Sequence, residues 1–159
     1  LALNQLHKRG KNFKYLILGK YDQLELERIS QLINSLDLQN QVILCDFIED
    51  HEISSYFELA DVFIMPSQKE GFGIVFIEAA ALGNVIVSTD VGIARELISE
   101  GNGTLVSPGD VAELSKALKF YMNSSILEEY SSVTEKICRD RFHWKKIIEK
   151  LHSAIIFLR

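Results

Sequence analysis

Four short apolar runs, separated by stretches with helical spacing, set the tightest limit on how this chain can fold. Lys14-Tyr-Leu-Ile-Leu-Gly19, Val42-Ile-Leu-Cys45, Val62-Phe-Ile-Met65 and Val85-Ile-Val-Ser88 are rich in branched residues and too short for helices. Runs of that kind read as strands buried on both faces. Apolar residues recur at helical spacing over Leu24–Leu36, Ile53–Leu59 and Ile74–Leu82, and again over Ala94–Ser99 after the last of these strands. Such alternation predicts an α/β fold, a doubly wound parallel sheet with helices on both faces. Thr104-Leu-Val106 adds a short strand. Pro108-Gly109-Asp110 reads as a turn whose Asp caps a helix from Val111, and the remainder to Arg159 reads as helical.

With 159 residues, 47% of them hydrophobic and 25% charged, the chain is long enough for one well-buried domain, residues 1–159. No repeat, low-complexity tract or linker divides it. A formal charge of −5 argues against a surface that tracks nucleic-acid phosphates, so any anionic ligand must be held locally. Cys45 and Cys138 make neither a disulfide framework nor a zinc spacing, which fits a reducing, cytoplasmic compartment. No run approaches the roughly 18 apolar residues that span a membrane. The chain opens without Met, inside a helical pattern carried by Leu1, Leu3 and Leu6, and so reads as a fragment of a longer protein.

Open parallel sheets bind ligands at the carboxyl ends of their strands, which directs attention to the loops after Gly19, Cys45, Pro66 and Thr89. The richest is Pro66-Ser-Gln-Lys-Glu70-Gly-Phe-Gly-Ile-Val-Phe-Ile-Glu78-Ala-Ala-Ala-Leu-Gly83, which runs from a buried strand into a helix through two glycines. Gly71 and Gly73 permit close approach of backbone to ligand and conformations barred to other residues. The amides of Gly73, Ile74 and Val75 then lie at a helix N-terminus, where unpaired donors and the positive dipole end suit a diphosphate without any Lys. Glu78, about one and a half turns on, leans back toward that terminus and can accept two hydrogen bonds from a vicinal diol such as a ribose. Glu70, across the turn, is placed for a second polyol. Polyol, diphosphate and polyol together describe a nucleotide sugar.

At these residues the chain resembles the large retaining family of GT-B glycosyltransferases called GT4, whose hallmark is two Glu residues separated by seven others. Glu70 and Glu78 have that spacing, in a Pro-Ser-x-x-Glu-Gly-Phe-Gly context. Ala60-Asp-Val-Phe-Ile-Met-Pro-Ser67 is similar to the family's preceding strand and Gly83-Asn-Val-Ile-Val-Ser-Thr-Asp-Val-Gly92 to its following one. Glu96-Leu-Ile with Gly101-Asn-Gly-Thr-Leu-Val-Ser-Pro108, and Phe142-His-Trp144, resemble later blocks. The resemblance implies the Rossmann-like C-terminal half of a GT-B fold, with a first strand and an acceptor-binding N-terminal domain outside this chain. It implies that Glu78 binds the ribose and Glu70, the catalytic candidate, the transferred sugar. The amides of Phe72, Gly73, Ile74 and Val75 would hold sugar and phosphate oxygens, and Asp46, Phe47 and Ile48 would flank the base. Transfer would proceed with retention and without metal or other cofactor, from an NDP-hexose to a glycan or lipid-linked acceptor in polysaccharide assembly. The protein would be cytoplasmic, with peripheral association at the inner face of the membrane among the expectations. The Arg and Lys that neutralise the diphosphate in the family come from a strand before Leu1. The chain departs from the family pattern at Gly19-Lys20-Tyr21, in place of Gly-x-Gly, at Asp46, in place of Gly, and at Asn84, in place of Pro.

Other residues read mainly as structure. Lys20 and Lys69 are candidate phosphate contacts, although a Lys beside a loop is usually solvated. Arg95 reads as a surface partner of Glu96 or Glu100. Glu49-Asp50-His51-Glu52 has metal-ligand residue types, but consecutive side chains diverge, and Asp50 fits a helix cap. His143 and Trp144 read as packing of the last helix, and Cys45 as strand packing. A non-catalytic module that binds a nucleotide sugar stays open beside the enzyme. A phosphorylatable receiver-like domain is disfavoured, because Met65 is followed by Pro66-Ser67 where such a domain needs an Asp.

Overall fold

The computed structural model describes residues 1–98, 102–143 and 145. All the predicted strands form, at Tyr15–Leu18 (β1), Val42–Cys45 (β2), Val62–Met65 (β3), Val85–Ser88 (β4) and Gly103–Leu105 (β5). The helices are Ala2–Lys8 (α1), Gln23–Ser35 (α2), Asp50–Leu59 (α3), Ile74–Ala81 (α4), Ala94–Leu97 (α5), Val111–Tyr121 (α6) and Ser124–Phe142 (α7). Capping explains several boundaries. The Asp22 carboxylate accepts from the Glu25 amide in a full capping box, and Asp110 accepts from the Glu113 amide at 2.8 Å, as its turn predicts. Asp50 is not the cap of α3: it is the first helical residue, and Glu49 precedes it without a side-chain cap. An acid there favours the positive end of the helix dipole instead.

Every strand pair is parallel, but the strands fall into two sheets among the described residues, β1–β2 and β3–β4–β5. In the second sheet β4 is central, and Val85, Ile86, Val87 and Ser88 are all fully buried. Alternation sends Ile86 to one face, where it packs with Phe57 of α3, Phe76 of α4, Leu97 of α5 and Cys138 of α7. Val85 and Val87 point to the other face, against Leu6 of α1 and Leu118 and Tyr121 of α6. Phe76, with no exposed surface, meets Phe63 edge-on at 5.7 Å, and burial of such a ring contributes about 1.5–3 kcal/mol.

The expectation that all the apolar runs are buried on both faces fails for the first sheet. Leu16 and Leu18 on β1 and Ile43 on β2 are exposed, because no third strand and no full helical layer covers them. Asn84, the departure from Pro, has a structural role: its amide nitrogen donates to the carbonyls of Phe57 and Ala60 at 2.8 and 2.7 Å, closing the C-terminal end of α3 onto β4. Asn102 is buried and tied to Thr134 on α7, while Gly101 lies outside the described residues. So do Ser99, Glu100, Trp144 and the helix expected beyond residue 145.

Candidate nucleotide-sugar site

The loop after β3 is held by the end of β4. The Ser88 hydroxyl lies 2.8 Å from the Met65 carbonyl, and the Thr89 hydroxyl donates to the Ser67 carbonyl; both residues are fully buried. A hydroxyl at these two positions satisfies carbonyls that the strand ladder has just released. The loop is thereby fixed as far as Ser67 before Glu70 is reached.

The turn itself depends on glycines, though not on both of those expected. Gly73 is the N-cap of α4 at φ +80°, in the left-handed region that Gly tolerates. Gly71 has no positive φ and open space around a would-be Cβ, so neither its backbone nor its packing requires a glycine. The second necessary glycine is Gly92, at φ +51°, where a Cβ would stand 2.6 Å from the Phe72 carbonyl oxygen. That carbonyl accepts from the Ile93 amide at 3.0 Å, which stitches the Glu70–Gly73 turn to the segment after β4. The Glu70 side chain lies in the space left by both glycines: a Cβ on Gly73 or on Gly92 would be 3.2 Å from its Cγ. The role of Gly92 was missed in the sequence, where its position after a Thr-Asp-Val loop marks a turn but not the neighbour it meets.

Glu70 is half-buried, and its carboxylate accepts from the Gly71 amide at 2.9 Å. No side chain caps α4, since Gly73 has none, and Ile74 and Phe72 are exposed beside its first turn. Glu78 is exposed one and a half turns along. Together with Val75 it lines a cleft of about 1100 Å³, whose mouth is also lined by Lys20, Phe47 and Ile48. Phe47 is 62% exposed at that mouth, and its amide donates to the Asp46 carboxylate at 2.7 Å. The structure therefore brings Lys20, Phe47, Ile48, Val75 and Glu78 together. Glu70, Gly71, Phe72, Gly73 and Ile74 form the turn at the N-terminus of α4 but do not line the cleft, and neither do Lys69 and Asp46, both exposed.

Tyr21, the departure from Gly, donates to the Ile17 carbonyl at 2.9 Å and so folds back onto β1; burial, with Cys45 and Asp46 nearby, raises its pKa. Arg95 pairs with Asp90 and not with Glu96, its guanidinium meeting both carboxylate oxygens. That pairing lowers the Asp90 pKa. Arg95 stands one turn past Gly92, so the chain reversal at 90–92 brings Asp90 closer to it than helical spacing alone suggests. Cys45 is half-buried, while Cys138 is buried against α4 and its thiol pKa is raised by that burial. His143 is exposed beyond the end of α7. Among the described residues, no three His, Cys, Asp or Glu side chains converge as metal ligands would, and no helix is long and apolar enough to cross a membrane.

The family model described as "Glycosyl transferases group 1" matches residues 1–137. The chain belongs to that family. It is 32% identical over 119 residues to 2-deoxystreptamine N-acetyl-D-glucosaminyltransferase of Niallia circulans, covering 74% of this chain and 30% of that one. Against alpha-D-kanosaminyltransferase of Streptomyces kanamyceticus the identity is 27% over 129 residues, covering 80% of this chain and 33% of the relative. The chain thus spans about a third of the length of these relatives. HepE of Anabaena, solved in complex with UDP, superposes with a TM-score of 0.84 at 25% identity, over 97% of this chain and 43% of HepE. The C-terminal domain of LpcC, a glycosyl transferase group 1 protein of Francisella tularensis, superposes with a TM-score of 0.81 at 23% identity, over 90% of this chain and 76% of that one. The fold is that of the C-terminal domain of a GT-B glycosyltransferase.

Proposed function

We propose that this domain binds a nucleotide sugar and that the protein containing it transfers the sugar, a hexose or hexosamine, with retention to a glycan or lipid-linked acceptor. The observation that carries the reading is the uncapped N-terminus of α4, with Glu70 wedged against Gly73 and Gly92 on one side and Glu78 at the cleft mouth on the other. In this reading the amides of Phe72, Gly73, Ile74 and Val75 hold diphosphate and sugar oxygens, where the helix dipole favours negative charge. Glu78 accepts from the ribose hydroxyls. Phe47 and Ile48 flank the base, with Asp46 shaping their loop, and Lys20 and Lys69 approach the phosphates.

Glu70 would orient the sugar and stabilise charge on it, so the chemistry rests on positioning and on electrostatic stabilisation of the departing diphosphate, with no metal required. The complex of HepE with UDP-glucose, at 26% identity and a TM-score of 0.82, supports a nucleotide-sugar ligand for this fold. The acceptor, the GT4 assignment, the cytoplasmic location and any membrane association belong to the same proposal. Transfer would need groups outside this chain, so the isolated domain is expected to be inactive.

The test is calorimetry on the full-length protein with UDP-, GDP- and ADP-sugars, comparing wild type with Glu78→Ala. Loss of a charge-assisted pair of hydrogen bonds should weaken binding by about 10- to 100-fold, equivalent to roughly 1.5–3 kcal/mol. Unchanged affinity removes Glu78 from the site. Tight binding without transfer to any glycan acceptor marks the non-catalytic module instead.

A further inference from the structure

Glu70 owes its place to a wall that is distant in sequence. The chain reversal at residues 89–95 carries that wall, Gly92, where a Cβ would stand 3.2 Å from the Glu70 Cγ and 2.6 Å from the Phe72 carbonyl oxygen. The core holds the inner side of the reversal: Thr89 and Ala94 have no exposed surface, Ile93 is buried, and the Thr89 hydroxyl donates to the Ser67 carbonyl. The outer side lacks such a hold. Asp90 and Gly92 are exposed there, and α5 begins without a side-chain cap. A glycine at φ +51° can leave that conformation at little cost, so a fixed wall needs ties on both sides of it. Two bonds within residues 89–95 span Gly92. One is backbone, from the Ala94 amide to the Val91 carbonyl at 3.1 Å. The other joins side chains: Arg95 donates from Nε to both Asp90 carboxylate oxygens at 2.9 Å, and from Nη2 to one of them.

We infer that Asp90 and Arg95 are positioning residues for the donor: as a pair they close the reversal about Gly92 and so hold Glu70 where it meets the transferred sugar. The inference rests on the donor-binding reading of Glu70. The geometry of the pair suits a role in position more than one in stability. An exposed ion pair contributes little to folding, because water screens it. A guanidinium bound through Nε and Nη2 to one carboxylate nevertheless fixes distance and direction together. The hydrogen bonds from Arg95 lower the Asp90 pKa, so the pair is ionised at neutral pH. Arg95 is thereby committed to Asp90 and acts on Glu70 through Gly92. Contact runs on from Gly92 to Glu70 and Phe72, and from the Ile93 amide to the Phe72 carbonyl at 3.0 Å. The signature of such a role is selective: a nucleoside diphosphate without sugar does not meet Glu70 and is bound without help from the pair. A misplacement of about 1 Å at a reacting group costs up to about 100-fold, so a wall loosened by a few tenths of that should cost about three- to tenfold.

Asp90→Asn, Arg95→Gln and the double variant of the full-length protein test it by two readouts. Without ligand, the Ile93 amide should exchange about three- to tenfold faster in each variant, followed by NMR, at an unchanged Tm. In calorimetry with UDP-, GDP- and ADP-sugars and the matching diphosphates, the affinity gained from the sugar should fall about three- to tenfold, while binding of the bare diphosphate stays the same. The double variant should lose no more than either single one, as a coupled pair does. Unchanged Ile93 exchange overturns the proposal, and so does an unchanged gain from the sugar. Equal weakening of diphosphate and nucleotide sugar also overturns it, since that marks Arg95 as a phosphate contact or the pair as part of the fold. Additive losses in the double variant do the same. A wild type that binds no nucleotide sugar removes the donor reading and this inference with it, whereas one that binds it equally well in every variant removes the pair alone.

Discussion

The two halves of the sheet, built from apolar runs that look alike in sequence, are buried to very different degrees. All four residues of β4 are fully buried, whereas β1 alternates half-buried and exposed residues and β2 buries only Val42. The difference lies in neighbours: β4 has a strand on each side and helices on both faces, while β1 has one strand and an open cleft. The halves of the candidate site inherit that contrast. The turn from Glu70 to Gly73 rests on the rigid half, pinned by Ser88, Thr89, Gly92 and Ile93. Lys20, Asp46, Phe47 and Ile48 rest on the looser one.

The sharpest way to break this comparison is a matched pair of truncations. Phe76→Ala in the buried half should cost about 3–5 kcal/mol and Ile43→Ala in the exposed one under about 1.5 kcal/mol, read by urea unfolding of the full-length protein. Equal losses would mean that Ile43 is covered in the intact protein. Next in size, Gly92→Ala should cost about 1–3 kcal/mol and abolish donor binding, because its Cβ meets the Phe72 carbonyl, while Gly71→Ala should change stability by less than about 0.5 kcal/mol. If Gly71→Ala alone removes binding, calorimetry will have shown that Gly71 serves the ligand and Gly92 the scaffold.

Asn84→Ala leaves two carbonyls at the end of α3 without their donor and should cost about 1–3 kcal/mol by thermal unfolding. In the looser half, Tyr21→Phe removes one hydrogen bond to Ile17 and should cost about 0.5–1.5 kcal/mol, with a shift in the preference among UDP, GDP and ADP if that loop reads the base. The smallest effect belongs to the exposed Asp90–Arg95 pair. The folded-state pKa of Asp90 is lowered, so its contribution is present above the ordinary Asp pKa and is lost as pH falls through the lowered value. Asp90→Asn should therefore leave unfolding at neutral pH nearly unchanged and reduce the further loss of stability on acidification, followed by Tm against pH.

Strand positions were legible because a buried strand needs consecutive apolar, branched residues whatever its neighbours are, and β2, β3 and β4 have the bounds read from the runs. The start of α4 at Ile74 was legible because two glycines beside an apolar periodic segment leave few other places for a helix to begin. Cap identity was less so: Asp110 caps but Asp50 does not, since both sequences permit a cap and only the path of the preceding loop chooses. The partnership of Arg95 with Asp90 was misread for the same reason, helical spacing being a poor guide across a turn.

By itself the sequence determined the alternation of strands and helices, the parallel class of the sheet and the position of a glycine turn at the start of α4. These follow from local rules, since side-chain period and backbone freedom are properties of each short segment. Only the tertiary structure decided that Gly92, nearly twenty residues from Gly73, makes the other wall around Glu70. It alone decided that Asn84 closes α3 and that a strand-wide cleft separates β1 from β3. Contacts between segments distant in sequence depend on how layers stack, and no pattern within one segment carries that information.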